Sequence, residues 1–99
     1  MNTRKLLNEW KTEAQQPFSG WDFAHLKNRY QQNSPPWSYE AHVREVMPHA
    51  ASVLDIGTGG GEKLLQFRDT FPRQIVATEG YAPNVPIARN RLSPHNIDV

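Results

Sequence analysis

A chain of 99 residues with 37% hydrophobic, 21% charged and 10% aromatic residues holds one small globular domain and is neither disordered, collagenous nor coiled-coil. Eleven basic residues against ten acidic ones leave a net charge of +1, so bulk electrostatics make no case for a nucleic-acid or anionic-membrane partner. Cysteine is absent, which rules out disulfides, thiolate metal sites and a cysteine nucleophile.

The amino terminus turns polar after Leu7 and lacks the apolar core of a signal peptide. No apolar run approaches the roughly 20 residues needed to span a bilayer. The expectation is a soluble, cytoplasmic chain. From Arg4 to Gln16, Leu6, Leu7, Trp10 and Ala14 recur at helical spacing, and Pro17 ends the pattern. A second helix is predicted over residues 21–31, with Phe23, Leu26 and Tyr30 on one face, before the breaker run Asn33-Ser34-Pro35-Pro36. Ser38 is a candidate N-cap for a third helix that carries Tyr39, Val43, Val46 and Met47 and closes at Pro48.

After Pro48 the character changes. Residues 52–56 form a short apolar run with Asp55 near its end, and 57–61 are a glycine-rich turn. A helix is predicted over 62–71, a strand over 75–79, and a helix over 84–92 that tolerates Pro86 in its first turn. Ile97-Asp98-Val99 reads as the opening of a third strand. Alternating strands and helices imply right-handed crossovers and a parallel sheet. The expected architecture is α/β: a helical lead-in of about three helices over residues 1–50, then the first half of a Rossmann-like, doubly wound sheet over residues 51–99.

The chemistry concentrates in Asp55, Gly57, Thr58, Gly59 and Gly61, a D-h-G-x-G-x-G pattern directly after an apolar strand. A strand turning sharply into a helix beside a bound small molecule needs positions without side chains. The helix that follows presents free N–H groups to a ligand. Alone, the glycines also suit an ordinary βα turn, and Asp55 could simply cap it. Glu79, eighteen positions after Gly61, ends the next strand beside that turn, where a carboxylate can accept hydrogen bonds from both ribose hydroxyls. Gly80 and Tyr81 follow it, and Tyr81 either covers an adenine or packs beneath the site. A dinucleotide fingerprint fails in both registers, because Glu62 or Leu64 stands where its third glycine belongs. An acid at the helix start also disfavours pyrophosphate. S-adenosylmethionine offers ribose, adenine and an ammonium group without phosphate, and fits better than NAD.

VLDIGTGGGEKLL followed by VATEGYAPNVPIARNRL resembles the first two motifs of class I S-adenosylmethionine-dependent methyltransferases. The segments GWDF (20–23) and PPWSYE (35–40) resemble those of a bacterial group of methyltransferase-domain proteins. The resemblance implies that the glycine turn cradles the methionine portion, that Asp55 helps to orient it, and that Glu79 holds the ribose. It implies S-adenosylmethionine as cofactor and methyl transfer as the activity of a complete fold. The family's sheet has seven strands and this sequence ends inside the third, so the expectation is an amino-terminal fragment, inactive alone, with its acceptor side and catalytic residues unassigned. A non-catalytic cofactor- or partner-binding remnant is the alternative, and an NAD-dependent oxidoreductase fragment a less favoured one.

The resemblance implies that Trp21, Trp37 and Tyr39 could form a lid over the methionine end; the favoured reading is that Trp21 and Trp37 anchor the lead-in helices to the sheet, with Tyr39 the better ligand candidate. Arg29, Arg89 and Arg91 read as solvated helix-surface residues. The four histidines show no metal spacing, so no metal site is expected. Strand 52–56 would keep one edge unpaired, which invites self-association.

Overall fold

The computed structural model describes residues 2–99. Helix α1 spans Thr3–Ala14, started by the Asn2 side chain, which accepts a hydrogen bond from the Lys5 amide at 3.0 Å. It buries none of its residues. Its contacts with the rest of the chain include the Arg29–Glu13 ion pair at 2.9 Å.

The helix expected over residues 21–31 does not form. Ser19 and Asp22 make an isolated antiparallel bridge, and only a single 3₁₀ turn follows, at Ala24–Leu26. Gly20 and Asn28 both adopt positive φ, which interrupts a helix. The Asp22 carboxylate accepts the Ala24 amide at 3.1 Å, offering a local alternative to helical bonding. The amides of Gly20 and Trp21 donate to side chains 64 and 41 positions away, which ties the start of the segment to the rest of the chain. The lead-in therefore has two α-helices, not three. The second, α2, spans Tyr39–Val46 behind the Ser38 cap, whose hydroxyl accepts the Ala41 amide at 3.1 Å, and tightens into a 3₁₀ turn at Met47–His49.

Strands β1 (Ser52–Ile56) and β2 (Gln74–Thr78) pair in parallel, with Leu54 opposite Val76 and Asp55 opposite Ala77. The expected third strand reduces to one parallel bridge between Val76 and Asp98, with the Ala77 amide donating to the Asp98 carbonyl at 2.8 Å. Helix α3 is shorter than predicted and covers Glu62–Leu65. Arg44 takes the Gln66 carbonyl at 2.9 Å, the acceptor a continued helix would give to Thr70, and the Thr70 amide closes on Phe67 instead. Helix α4 spans Val85–Leu92 with Pro86 in its first turn, as its sequence suggests. Mixed helix and strand with a two-stranded parallel sheet is thus the architecture.

The core comprises Leu64, Ile75, Ala77, Ala88, Leu92 and Ile97, so β2 turns its inner face toward α3 and α4. The opposite face is bare: Leu54 is 59% and Ile56 77% exposed. The radius of gyration is 17.4 Å, against about 13 Å for a compact chain of this length. An α1 with no buried residue is consistent with that elongation. Among the described residues, no helix is long and apolar enough to cross a membrane.

Helix α2 is fastened by Arg44, which pairs with Asp69 at 2.9 Å and lies 5.4 Å over the Phe67 ring. The Arg44 hydrogen bond holds the Asp69 carboxyl below its ordinary value of 3.8. A depressed carboxylate stabilises the fold above that ordinary value and loses its contribution as the pH falls through the folded value. The pair is exposed, so the expected loss of stability below about pH 4 is small, and Arg44→Ala should abolish that part of the acid dependence. Leu92→Ala, at a fully buried position, should cost about 2–5 kcal/mol in urea unfolding. Leu7→Ala on α1 should stay within about 0.5 kcal/mol.

Candidate functional site

The site begins where β1 stops. The Gly57 and Thr58 amides both donate to the Thr78 carbonyl, at 3.0 and 2.9 Å, tying the end of β1 to the end of β2. The chain then coils through a glycine turn, closed by the Gly61 amide donating to the Thr58 carbonyl at 3.1 Å, and enters α3. Two of its glycines are demanded by sterics. Gly61 has φ +84° and a Cβ there would lie 2.8 Å from Leu92 Cγ in the core. Gly59 has φ +66° and lies directly under the Trp21 indole, which a Cβ would strike. Gly57 differs: a Cβ would touch nothing within 4 Å, so its open face leaves room for something other than protein.

That face borders a cavity of about 350 Å³, at the lower end of the roughly 300–1,000 Å³ typical of small-molecule sites. Gly57, Gly59, Glu79, Tyr81 and Asn84 line one side, and Phe18, Gly20, Trp21 and Phe23 the other. Glu79 is half-buried at the tip of β2, and one carboxylate oxygen accepts the Tyr81 amide at 3.0 Å. Among the described residues no other group hydrogen-bonds that carboxylate. The Tyr81 ring is nearly parallel to that of Phe18, with centroids 6.3 Å apart and planes 6° apart. Glu79 is the one charged residue lining this cavity among those described.

Of the residues singled out from sequence, Gly57, Gly59, Glu79 and Tyr81 meet around one cavity. Gly80 lies between Glu79 and Tyr81, exposed, with open space at its Cα. Gly61 shapes the turn from beneath. Thr58 contributes backbone alone to the turn's bonding; its hydroxyl is buried without a partner among the described residues. Asp55 is placed elsewhere. With Tyr39, His42 and Lys63 it borders a second, largely apolar cavity of about 400 Å³ between α2 and β1.

Arg91 is exposed, as expected, and from the surface it pairs with Glu62 at 2.9 Å and donates to the Gly60 carbonyl at 2.9 Å. The helix-start acid is thereby neutralised and bound to the turn. Arg29 likewise pairs with Glu13 rather than standing on a helix surface. Phe18 and Asn84 were not legible as site residues. Phe18 follows a helix-ending proline, and Asn84 sits in a 3₁₀ turn before α4, so neither falls in a motif. Comparisons with models of known families, with curated proteins and with solved structures return no match.

The turn glycines should tolerate substitution unequally. Gly61→Ala combines left-handed strain with a core clash, whereas Gly57→Ala carries strain alone, about 1–2 kcal/mol. Urea unfolding should therefore show Gly61→Ala as the more damaging change.

Proposed function

We propose that this chain is the S-adenosylmethionine-binding portion of a methyltransferase with a Rossmann-like sheet. The observation that carries the reading is the electrostatic character of the glycine-turn cavity: its charged lining residue is the carboxylate Glu79, and no lysine or arginine lines it. A pyrophosphate there would face a like charge without a counter-charge, which counts against NAD. A phosphate-free nucleoside with a cationic end fits the same lining. Glu79 offers a carboxylate oxygen to the ribose hydroxyls, Gly57 lets the ligand approach the backbone, and Tyr81 provides an aromatic surface.

S-adenosylmethionine supplies an electrophilic methyl group on its sulfonium. The residues of this chain bind and orient it: the turn fixes the backbone, Glu79 sets the ribose, and the aromatic segment 18–23 borders it on one side. Transfer further requires a nucleophile held in line with the methyl group. Asp55 and Tyr39 border the other cavity and are given no part in holding the ligand at the glycine turn.

Calorimetric titration of the chain with S-adenosylmethionine, S-adenosylhomocysteine and NAD tests this. Binding of the first two is expected, and NAD binding without either would overturn the reading. Glu79→Gln should weaken S-adenosylhomocysteine by about tenfold or more, as loss of a charge-assisted contact requires. The bare face carrying Leu54 and Ile56, together with the unpaired edge of β1, also supports pairing with a second copy. Sedimentation should show mass rising with concentration; a monomer at all concentrations would exclude it.

A further inference from the structure

Residues 18–23 cross over the glycine turn as a strap, and polar contacts hold them there. The Gly20 amide donates to Asn84 Oδ1 at 3.1 Å, the Trp21 amide to the Glu62 carboxylate, and the Trp21 indole N–H to the Thr58 carbonyl at 3.2 Å. Arg91 braces Glu62 from the far side. Gly20 cannot be replaced without displacing this latch: its φ is +58°, and a Cβ would come within 2.6 Å of the Glu62 carboxylate and 2.9 Å of the Gly60 nitrogen.

Apolar burial contributes little to this attachment. Phe18, Trp21 and Phe23 are 46%, 53% and 38% exposed, although all three line the cavity. The strap's aromatics pack on one another, Phe18 and Phe23 with ring centroids 5.0 Å apart, but the surface they leave open beside the cavity lacks an apolar partner. The Phe18 and Tyr81 rings show what would supply one. Their planes lie 6° apart and their centroids 6.3 Å apart. A planar base in contact with both would need them roughly 7 Å apart, so its entry requires the strap to yield slightly.

Resting on the reading that this cavity takes an adenine nucleoside, we propose that the strap is the second wall of the site. Phe18 and Tyr81 clasp the base between their rings, and the contacts of Gly20 and Trp21 with Asn84 and Glu62 hold the strap in place to do so. Base and strap then bury each other, and ligand binding tightens the latch.

Two measurements on the full chain test this: calorimetry with S-adenosylhomocysteine, and amide hydrogen exchange at Gly20 and Trp21 with and without that ligand. In the wild-type chain, exchange at both amides should slow further on binding. Phe18→Ala should weaken binding by about tenfold or more, as loss of base–aromatic stacking requires, and Phe18→Tyr should restore it. Phe18→Leu, which keeps apolar bulk, guards against a folding defect and should also bind weakly. Glu62→Gln should speed exchange at the Trp21 amide without ligand. If the wild type binds but Phe18→Ala and Phe18→Leu bind equally well, or the strap amides do not respond, the strap is no wall and the cofactor reading survives. If the wild type binds no adenosine compound while the latch amides are protected, the cofactor reading fails and the wall assignment falls with it.

Discussion

One carbonyl organises this molecule. The Thr78 oxygen accepts the amides of both Gly57 and Thr58, so the ends of two parallel strands are held at a fixed offset. The peptide that carries this oxygen leads directly into Glu79. The same bond that turns β1 into the glycine coil therefore sets the carboxylate beside it. A pair of parallel strands has no hairpin to fix its ends, and here the side-chain-free turn does that work. Removing space at Gly59 or Gly61 would push Trp21 or Leu92 away, and the turn would lose its cover above or its seat below.

The consequences divide along the two faces of the sheet. On the inner face, Ile75 and Ala77 meet α3 and α4 in a small core, with Leu92 and Ala88 fully buried. On the outer face, Leu54 and Ile56 remain in water. The two carboxylates near the strand ends also separate: Glu79 faces the glycine-turn cavity, and Asp55 faces the apolar cavity under α2. In sequence they look like partners in one site. Their residue positions place them at the ends of neighbouring strands, but the lining residues show that they address different spaces.

Much of this was legible in the chain. The apolar run at 52–56, the run at 75–79 and the glycines between them follow from local pattern, because strand periodicity and turn chemistry are local properties. Ser38 as a cap and Pro86 in a first turn were legible for the same reason. The departures have other causes. The predicted helix at 21–31 is broken by the Asp22 side chain, which takes the Ala24 amide, and by the positive φ of Asn28, while Asn84 and Glu62 hold the Gly20 and Trp21 amides where the segment begins. Helix α3 stops at Leu65, where the Gln66 and Phe67 amides already turn to carbonyls three residues back, and Arg44 occupies the Gln66 carbonyl that a further turn would use. Arg91 stays exposed, but its partner Glu62 lies 29 positions away along the chain. The long-range polar contacts that accompany these departures are encoded by no periodicity.

The central claim is that an adenosine cofactor sits on the glycine turn beside Glu79. The most direct measurement is a residue-resolved NMR titration of the chain with S-adenosylhomocysteine. The account expects the largest amide shifts at Gly57, Gly59, Gly80 and Tyr81, with saturable dependence on ligand concentration. Shifts centred instead on Val43, Lys63 and Phe67, around the second cavity, would contradict it, as would no shift at all.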